Sequence, residues 1–360
     1  MAIVTKTIDG IQYLYYQDRG AGGHKVVSTL IGRADLDRSE LVEARGIAFA
    51  KHAIKLYESE RSTPRASFHF ENRPQLAVLH NVDSLEQLKA GYQILRKSLT
   101  LEELQESEQT FFVKYVHGTT AIEGNTFTES EAARVLLNDR TVANKSINET
   151  LEIANYKEVK KFVDNYSGPI TENAILKIHE LLMNGIKDEI DQKPVRAGQY
   201  RTISVIITES DHHPPPPEKV SSLMRTALEE YQNRLRRSVH PIEASALFHL
   251  DLEQIHPFED GNGRLGREVL NYMLVSNGYP AVFIPKDWRG EYLRALHLGD
   301  ARNFVPIVEF IYQRLYATLE HLMTRAPMNK LMRPQYSDLL STLLGSEAHN
   351  RLLSLMPTRT

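Results

Sequence analysis

The segment IHPFEDGNGRLGR, residues 255–267, restricts this chain more than any other part of its sequence. Gly261 and Gly263 allow the backbone to turn tightly and leave its amide groups accessible. The apolar residues that follow recur with a helical period, which predicts a helix that ends near Gly278. A glycine-rich loop that leads into a helix N-terminus is a typical anion site. The segment therefore predicts a loop–helix junction that binds a charged ligand.

The polar side chains of the same segment suit polyphosphate chemistry. Arg264 and Arg267 lie in the first turns of the predicted helix, where two guanidinium groups can bind a polyphosphate. Asp260 beside them can hold Mg²⁺, which takes one or two carboxylates together with phosphate oxygens. His256 precedes the loop and can accept a proton near neutral pH. Singly, each residue has an ordinary structural interpretation, and two helical arginines usually form a solvated face; their combination in one short segment favours a functional site.

Helical periodicity dominates the chain from about residue 84 onwards. In the helix after the glycine loop, the apolar stripe comprises Val269, Leu270, Met273 and Leu274, and the opposite stripe comprises Arg264, Arg267, Glu268 and Asn271. Capping signals predict further helices from Leu101 to Gly124, between Thr171 and Gly185, and from Pro241 to Gln254. Residues 200–208, YRTISVIIT, are predicted as a strand.

The N-terminal part has a different pattern. Residues 11–31 predict a β-hairpin whose turn lies at 20–23, and residues 39–59 predict a helix. The hairpin carries a basic and aromatic cluster, namely Tyr13, Tyr15, Arg19, His24 and Lys25. Such a cluster can bind nucleic acid, but it is more often a small sheet that packs on its neighbour, so nucleic acid is disfavoured as a partner.

Composition excludes several classes of protein. The chain has 360 residues, a net charge of -3 and no cysteine. The charge gives no general attraction to nucleic acid or to an anionic membrane. Without cysteine there is no disulfide, no thiolate zinc site and no cysteine nucleophile. No apolar run is long enough to span a bilayer, and the first residues, MAIVTKTIDG, lack a signal-peptide core. These features predict a cytoplasmic protein without a membrane partner.

The segment 255–267 also resembles the signature of Fic-domain proteins, His-x-Phe-x-(Asp/Glu)-Gly-Asn-Gly-Arg-x-x-Arg, and matches it at every defined position. The resemblance extends over roughly residues 100–313. It implies an all-α fold, a Fic-type helical bundle with a small β-hairpin flap, to which the sequence adds a small N-terminal β-hairpin and helix module. The expected division is 1–75 for that module, 76–128 for a helical region, 129–313 for the Fic core and 314–360 for a helical tail.

What the resemblance implies about function is a protein adenylyltransferase, which transfers AMP from ATP to a hydroxyl of a target protein, or of itself, and releases pyrophosphate. His256 would be the general base, and Asp260 would hold Mg²⁺ between the α- and β-phosphates. Asn262 and the amides of Gly261 and Gly263 would form an anion hole, Arg264 would bind the β-phosphate and Arg267 the γ-phosphate. Tyr292 and Asp300 would lie near the base of the nucleotide. The flap strand would pair with the backbone of the target through main-chain hydrogen bonds. This strand comprises Ile203, Ser204, Val205, Ile206 and Ile207.

An upstream segment, TTAIEGN at 119–125, resembles the inhibitory motif of the same family, (Ser/Thr)-x-x-x-Glu-(Gly/Asn). It matches through Thr119, Glu123 and Gly124, in the class whose inhibitory helix precedes the core. The prediction places Glu123 in the last turn of a helix, at the unfavourable negative end of the helix dipole. In relatives this glutamate pairs with the second signature arginine, here Arg267, which would offset that placement and inhibit the enzyme. A purely structural salt bridge is the alternative.

Other functions stay open at this point. Glu123 with His256 is compatible with the reverse reaction, the removal of AMP from a modified target. Transfer of another phosphate-linked group and a nucleotide-sensing regulatory or binding module are further alternatives. A metal hydrolase built on His249 and His256 is disfavoured because no third ligand is evident. The resemblance also leaves a homodimer open.

Overall fold

The computed structural model describes residues 2–19, 26–37, 68–71, 82–96, 99, 101–188, 192–207, 210–325, 340–341 and 346–355, with isolated positions between 40 and 55. The chain forms two compact units. The first comprises Met1–Ala66, Ala77–Ser107 and Leu319–Thr360, and the second comprises Ser67–Leu76 and Glu108–Thr318. The expected four-part division of the chain stays a prediction.

The structure is mostly helical, as predicted, with one small sheet. The strands are β1 Ala2–Ile8, β2 Ile11–Arg19 and β3 Val26–Arg33. The helices are α1 Val82–Arg96, α2 Leu101–Ile122, α3 Glu129–Asn138, α4 Ile147–Ala154, α5 Tyr156–Asn165, α6 Glu172–Leu182, α7 Pro217–Arg236, α8 Pro241–Ile255, α9 Asn262–Ser276, α10 Arg289–Asp300, α11 Val305–Thr324 and α12 Ser346–Leu355, with a 3₁₀ turn at Lys286–Trp288. None of the helices in the described part of the chain is both long and apolar enough to cross a bilayer.

The first unit contains a three-stranded antiparallel sheet in the order β1-β2-β3. The predicted hairpin is confirmed in its two strands, while its turn at 20–23 and most of the predicted helix at 39–59 lie outside the described residues. Strand β1 was not predicted. Asp9 and Gly10 connect it to β2, and both have positive φ angles, 50° and 78°. Asp-Gly is a characteristic two-residue hairpin turn, so this dipeptide was the signal that reveals β1.

The second unit is built around α8 and α9. Pro241 occupies the first turn of α8, as predicted, and α8 is buried on most of its surface, including Glu243 and His249 at 0% exposure. Helix α9 packs against α8 and α6. The predicted helix after Thr171 is confirmed, because the Thr171 hydroxyl accepts from the N–H of Ala174 at 3.2 Å.

In this unit the ordinary interpretation of two helical arginines as a solvated face does not hold, and the predicted strand is wrong. The polar stripe of α9 is not solvated: Arg264, Arg267, Glu268 and Asn271 are all less than 9% exposed, because α2, α4 and the 282–284 segment supply partners for it. The predicted strand at 200–208 is also absent over its described residues, 200–207. Val205 and Ile207 are half-buried and Ile206 is 84% exposed, so the side chains alternate, but no neighbouring strand of the described chain completes a ladder.

Candidate active site

His256 lies immediately after the last residue of α8. Its backbone is left-handed, with φ at 48°, and its N–H donates to the carbonyl of Leu252 at 2.9 Å. The ring Nδ1 lies 3.2 Å from the carbonyl of Glu253, so Nδ1 carries the proton and donates there. Burial lowers the pKa of His256 below its usual range. The imidazole is therefore neutral near pH 7 and presents Nε2 as a base.

The loop after His256 is shaped by one asparagine. Asn262 is 2% exposed, and its Oδ1 accepts from the N–H of Phe258 while its Nδ2 donates to the carbonyl of Phe258, both at 2.9 Å. The Asn262 side chain is thus held against the backbone of Phe258 with one donor and one acceptor site, and its part in the predicted anion hole stays a prediction. The Gly261 amide also has a partner, the Oδ1 of Asp260 at 2.6 Å. The first turn of α9 leaves the N–H groups that follow for a ligand.

His179 fixes the outer side of this loop, and the sequence analysis did not identify it. It is fully buried on α6, its ring stacks on Phe258 with centroids 3.6 Å apart, and its Nδ1 accepts from the N–H of Gly198 at 2.9 Å. Its Nε2 donates to the carbonyl of Asp260 at 2.9 Å. Burial lowers the pKa of His179 to about 4, so the ring is neutral. A histidine on the buried stripe of α6, between Ile175 and Leu182, was the available signal.

Arg264 is buried beside the loop with unused hydrogen-bonding capacity. Its Nη1 pairs with Glu152 at 2.7 Å, and its Nη2 lies 3.5 Å from both oxygens of Asp260. Its Nε is buried and has no hydrogen-bond partner among the described residues. Glu152 also accepts from Asn125 at 2.8 Å, so α4 connects Arg264 to the segment that follows α2. A guanidinium with an unpaired buried donor suits an incoming phosphate oxygen.

Arg267 is held by the end of α2. Its Nε donates to the hydroxyl of Thr119 at 2.7 Å, and its Nη2 donates to the carbonyl of Thr119 at 2.9 Å and to Glu123 Oε1 at 2.7 Å. The expected pair of Glu123 and Arg267 is therefore present. Burial raises the pKa of Glu123, but the guanidinium groups of Arg267 and Arg264 outweigh it, and the net pKa lies below its usual value.

Glu123 lies where an anion would bind. Helix α2 ends at Ile122, so Glu123 is the first residue beyond it rather than part of its last turn, and Gly124 follows with φ at 102°. A Cβ on Gly263 would stand 2.4 Å from Glu123 Oε1. The carboxylate therefore leaves the negative end of α2 and reaches the positive N-terminus of α9, which offsets its unfavourable position in sequence.

A second contact joins α2 to α9. The hydroxyl of Tyr115 donates to Glu268 Oε2 at 2.7 Å, and both residues are buried. Burial raises the pKa of Glu268 to about 7. Tyr115, Thr119 and Glu123 are spaced four residues apart, so one face of α2 and its C-terminal end bind α9 at three successive positions.

Asp260 is the residue that fits a divalent cation. Its side chain is 54% exposed, and a hard carboxylate oxygen is the donor that Mg²⁺ prefers. No cluster of three or more His, Cys, Asp or Glu residues with metal-site geometry occurs in the described part of the chain. This donor set fits an ion shared between one carboxylate, phosphate oxygens and water, rather than a site made by protein alone.

The two residues expected near the nucleotide base are engaged in protein contacts. Tyr292 is 1% exposed, and its hydroxyl lies 2.7 Å from Nε2 of His249. Asp300 accepts from Nε2 of Gln254 at 3.0 Å. Tyr292 thus has no open face in this structure, while Asp300 is half-buried and keeps a second oxygen. Their contact with a base stays a prediction.

Sequence comparisons match the part of the chain that carries this site. Residues 169–274 match the sequence model of the Fic/DOC family. Two relatives described as protein adenylyltransferases are fic-1 of Caenorhabditis elegans, 28% identical over 66% of this chain, and Fic of Drosophila grimshawi, 29% identical over 72% of it. The alignments cover 46% and 53% of those proteins, so the chain spans about half the length of the curated relatives it matches.

Solved structures resemble the fold. A Fic domain containing signaling protein from Bacteroides thetaiotaomicron has a TM-score of 0.60 at 23% identity, over 67% of this chain and 96% of that one. Fic-1 of C. elegans has a TM-score of 0.57 at 24% identity, over 79% of this chain and 83% of that one. These neighbours support the predicted helical fold.

Proposed function

We propose that this chain, which carries a Fic/DOC-family domain over residues 169–274, is a protein adenylyltransferase. It transfers AMP from ATP to a serine, threonine or tyrosine hydroxyl of a target protein, or of itself. The observation that carries the proposal is His256: a neutral imidazole with Nε2 available, beside a glycine loop backed by two buried arginines. Relatives described as protein adenylyltransferases support the same activity.

The transfer needs one proton acceptor and one well-placed phosphate chain. His256 Nε2 takes the proton of the target hydroxyl as its oxygen attacks the α-phosphorus. The bond from that phosphorus to the α–β bridging oxygen breaks, AMP is joined to the target, and pyrophosphate leaves. The carbonyl of Glu253 holds Nδ1–H, which keeps the imidazole in the correct tautomer. The reaction needs little covalent chemistry from the protein. Positioning of the reacting groups and neutralisation of the phosphate charge therefore provide most of the catalysis.

The phosphate chain would lie across the N-terminus of α9. Arg264 offers its buried Nε and Nη2 to the β-phosphate, and Arg267 binds the γ-phosphate once Glu123 releases it. Asp260 would hold Mg²⁺, which neutralises phosphate charge. The Asn262 side chain keeps the loop in shape through its two bonds to Phe258. The loop backbone and Arg264 are held by protein contacts before the ligand arrives, which is the condition for efficient electrostatic stabilisation.

The target would bind along residues 203–207. Ile203 is 56% exposed and Ile206 84% exposed, and this stretch has no strand partner among the described residues. An extended peptide that added to this edge would bring its hydroxyl towards His256 with few side-chain requirements. The target would then supply the partner strand that this segment lacks among the described residues.

In the resting state the enzyme would be inhibited by Glu123. Its carboxylate engages Arg267 at 2.7 Å and covers Gly263, where the γ-phosphate would lie. Thr119 strengthens this by taking two more donors of the same guanidinium. ATP could still enter, but with its phosphates displaced. The cytoplasmic location and a homodimer stay predictions.

The test uses ATP labelled at the α-phosphate, with Mg²⁺, and scores label on the protein and on cell lysate. Wild type should label weakly, Glu123→Gly strongly, and Glu123→Gly combined with His256→Asn not at all. ATP labelled at the γ-phosphate is the matched control, and no variant should transfer that label. Asn is chosen at position 256 because it tolerates the left-handed backbone better than Ala.

Other outcomes would point elsewhere. Transfer of the γ-label would replace AMP transfer by phosphate transfer. Equal labelling by wild type and Glu123→Gly would refute the inhibitory role while keeping the activity. Absence of label in every variant that binds ATP would refute the proposed transfer. In that case, release of free AMP from a modified target, lost in Glu123→Gly, would identify the reverse reaction.

A further inference from the structure

Arg201 is a buried cation without an acidic partner. It is 2% exposed, and no carboxylate of the described residues makes an ion pair with it. Burial of an unpaired charge is strongly unfavourable unless hydrogen bonds replace its hydration. The hydrogen-bond acceptors around Arg201 therefore explain how a guanidinium is tolerated at this buried position. All of them are backbone carbonyls.

One set of these bonds satisfies carbonyls at the C-terminal end of helix α8. The Nε of Arg201 donates to the carbonyl of His256 at 2.8 Å, and its Nη2 donates to the carbonyl of Ile255 at 3.3 Å. Its backbone N–H donates to the carbonyl of Pro257 at 2.9 Å. Carbonyls at a helix C-terminus lack intrahelical partners and carry negative partial charge, which a guanidinium satisfies. Arg201 thus holds His256 in its left-handed conformation.

The other set belongs to the exposed segment and to the proline run. The Nη1 of Arg201 donates to the carbonyl of Ile203 at 3.0 Å, and Nη2 donates to the carbonyl of Pro215 at 2.5 Å. The guanidinium is planar and rigid, so the direction of one hydrogen bond fixes the others. A single side chain therefore connects the segment at Ile203 to the backbone of His256.

We propose that Arg201 is a positioning residue that orients His256 and links it to engagement of a target at residues 203–207. This inference rests on the proposed transfer function. The charged groups that face His256 are Arg201, Glu123 and Asp260. Burial lowers the pKa of His256 most, and the hydrogen bond to the carbonyl of Glu253 raises it. Arg201 lowers this pKa further, whereas the two carboxylates raise it. Loss of the Arg201 charge should consequently raise the pKa of His256, an effect that a structural role alone would not have.

The experiment compares Arg201→Gln with Arg201→Lys, each in the Glu123→Gly background. The glutamine removes the charge, whereas the lysine keeps it but cannot span His256 and Ile203. For target labelling, we expect kcat to fall about tenfold or more in both variants, with the Kd for ATP within about twofold. In Arg201→Gln alone, the acidic limb of the pH–rate profile should move to higher pH by about half a unit or more. Arg234→Gln is the matched control, since Arg234 pairs with Glu230 and Asp251 away from the loop.

A second measurement does not depend on transfer. The pKa of His256 is read by NMR of protein labelled in its histidine rings, with the resonance assigned through His256→Asn. It should rise in Arg201→Gln and stay close to the parent value in Arg201→Lys. An unchanged pKa in Arg201→Gln, or kcat losses no larger than those of Arg234→Gln, overturns the inference. If the Glu123→Gly parent itself transfers no label, the proposed function fails, and the NMR titration still decides the effect of Arg201 on His256.

Discussion

Acidification should loosen the active-site loop through His179. This ring accepts from the N–H of Gly198, donates to the carbonyl of Asp260 and stacks on Phe258. The bond from the N–H of Gly198 requires an unprotonated Nδ1, so this contact exists only with the neutral imidazole. Burial lowers the pKa of His179 to about 4. The unfolded chain would titrate near the ordinary value of roughly 6.5.

The magnitude follows from these two pKa values. Between about pH 6.5 and pH 4 the imidazole of His179 is protonated in the unfolded chain and neutral in the folded protein. The free energy of unfolding therefore falls as the pH falls through this window. Above pH 6.5 both states are neutral and the effect vanishes. Between pH 8 and pH 5, the His179 ring should remove about 2 kcal/mol from the free energy of unfolding.

The assay is urea unfolding at pH 5 and pH 8, for wild type and His179→Gln. Glutamine keeps one donor and one acceptor but does not titrate. From pH 8 to pH 5, wild type should lose about 2 kcal/mol more than the variant. The exposed His297 gives the matched control, and His297→Gln should behave like wild type. Equal losses in wild type and His179→Gln would refute the argument that a buried neutral histidine holds the loop.

Three further predictions concern the same region. Asn262→Ala removes two buried hydrogen bonds and should cost about 2 kcal/mol, seen as a fall in Tm of roughly 4–8 °C; an unchanged Tm would contradict the role of this side chain in the loop. Burial raises the pKa of Glu268 to about 7, so the folded state binds the carboxyl proton more tightly than the unfolded chain does. The stability that this proton contributes is lost as the pH rises from roughly 4.3 through 7. Glu268→Gln keeps a group that accepts from Tyr115 and should remove about 2 kcal/mol of this pH dependence, measured by urea unfolding at pH 5 and 8. Gly261→Ala places a Cβ 2.5 Å from the sulfur of Met183, at a backbone φ of 79°. The proposed AMP transfer should fall about tenfold or more in this variant, while ATP binding persists. Full activity of the variant would show that close packing at Gly261 does not determine the shape of the loop.

Local signals predicted the helices well because capping acts over a few residues. Thr171, Pro241 and Gly278 each end or begin a helix through groups next to them in sequence. Strand β1 was missed although Asp9 and Gly10 carried an equally local signal. By contrast, the pattern at 200–208 describes a chain suited to a sheet, and a sheet forms only where a partner strand exists.

The candidate site was predictable only in part. The signature places His256, Asp260, Arg264 and Arg267 in one segment, so their proximity follows from sequence. Periodicity gave the spacing of the arginine stripe but not its burial, because a helical period does not show what covers a side chain. Arg201 acts through backbone carbonyls distant in sequence, for which neither motif nor spacing gives a signal. His179 also binds a distant carbonyl, and its place on the buried stripe of α6 was the one signal in the sequence.

The close packing of Gly118 bears on how fast the proposed inhibition would be relieved. A Cβ at this position would stand 2.6 Å from the ring of Phe283, so α2 has no room to slide here. Beyond Glu123, Asn125 is buried and donates to the carbonyl of Glu149 at 3.0 Å. With the backbone held on both sides, rotation of the Glu123 side chain is the accessible motion, and it requires only that the bond to Arg267 break. Release of the arginine then needs no movement of a helix, and product of the proposed transfer should accumulate linearly from the moment of mixing, without a lag.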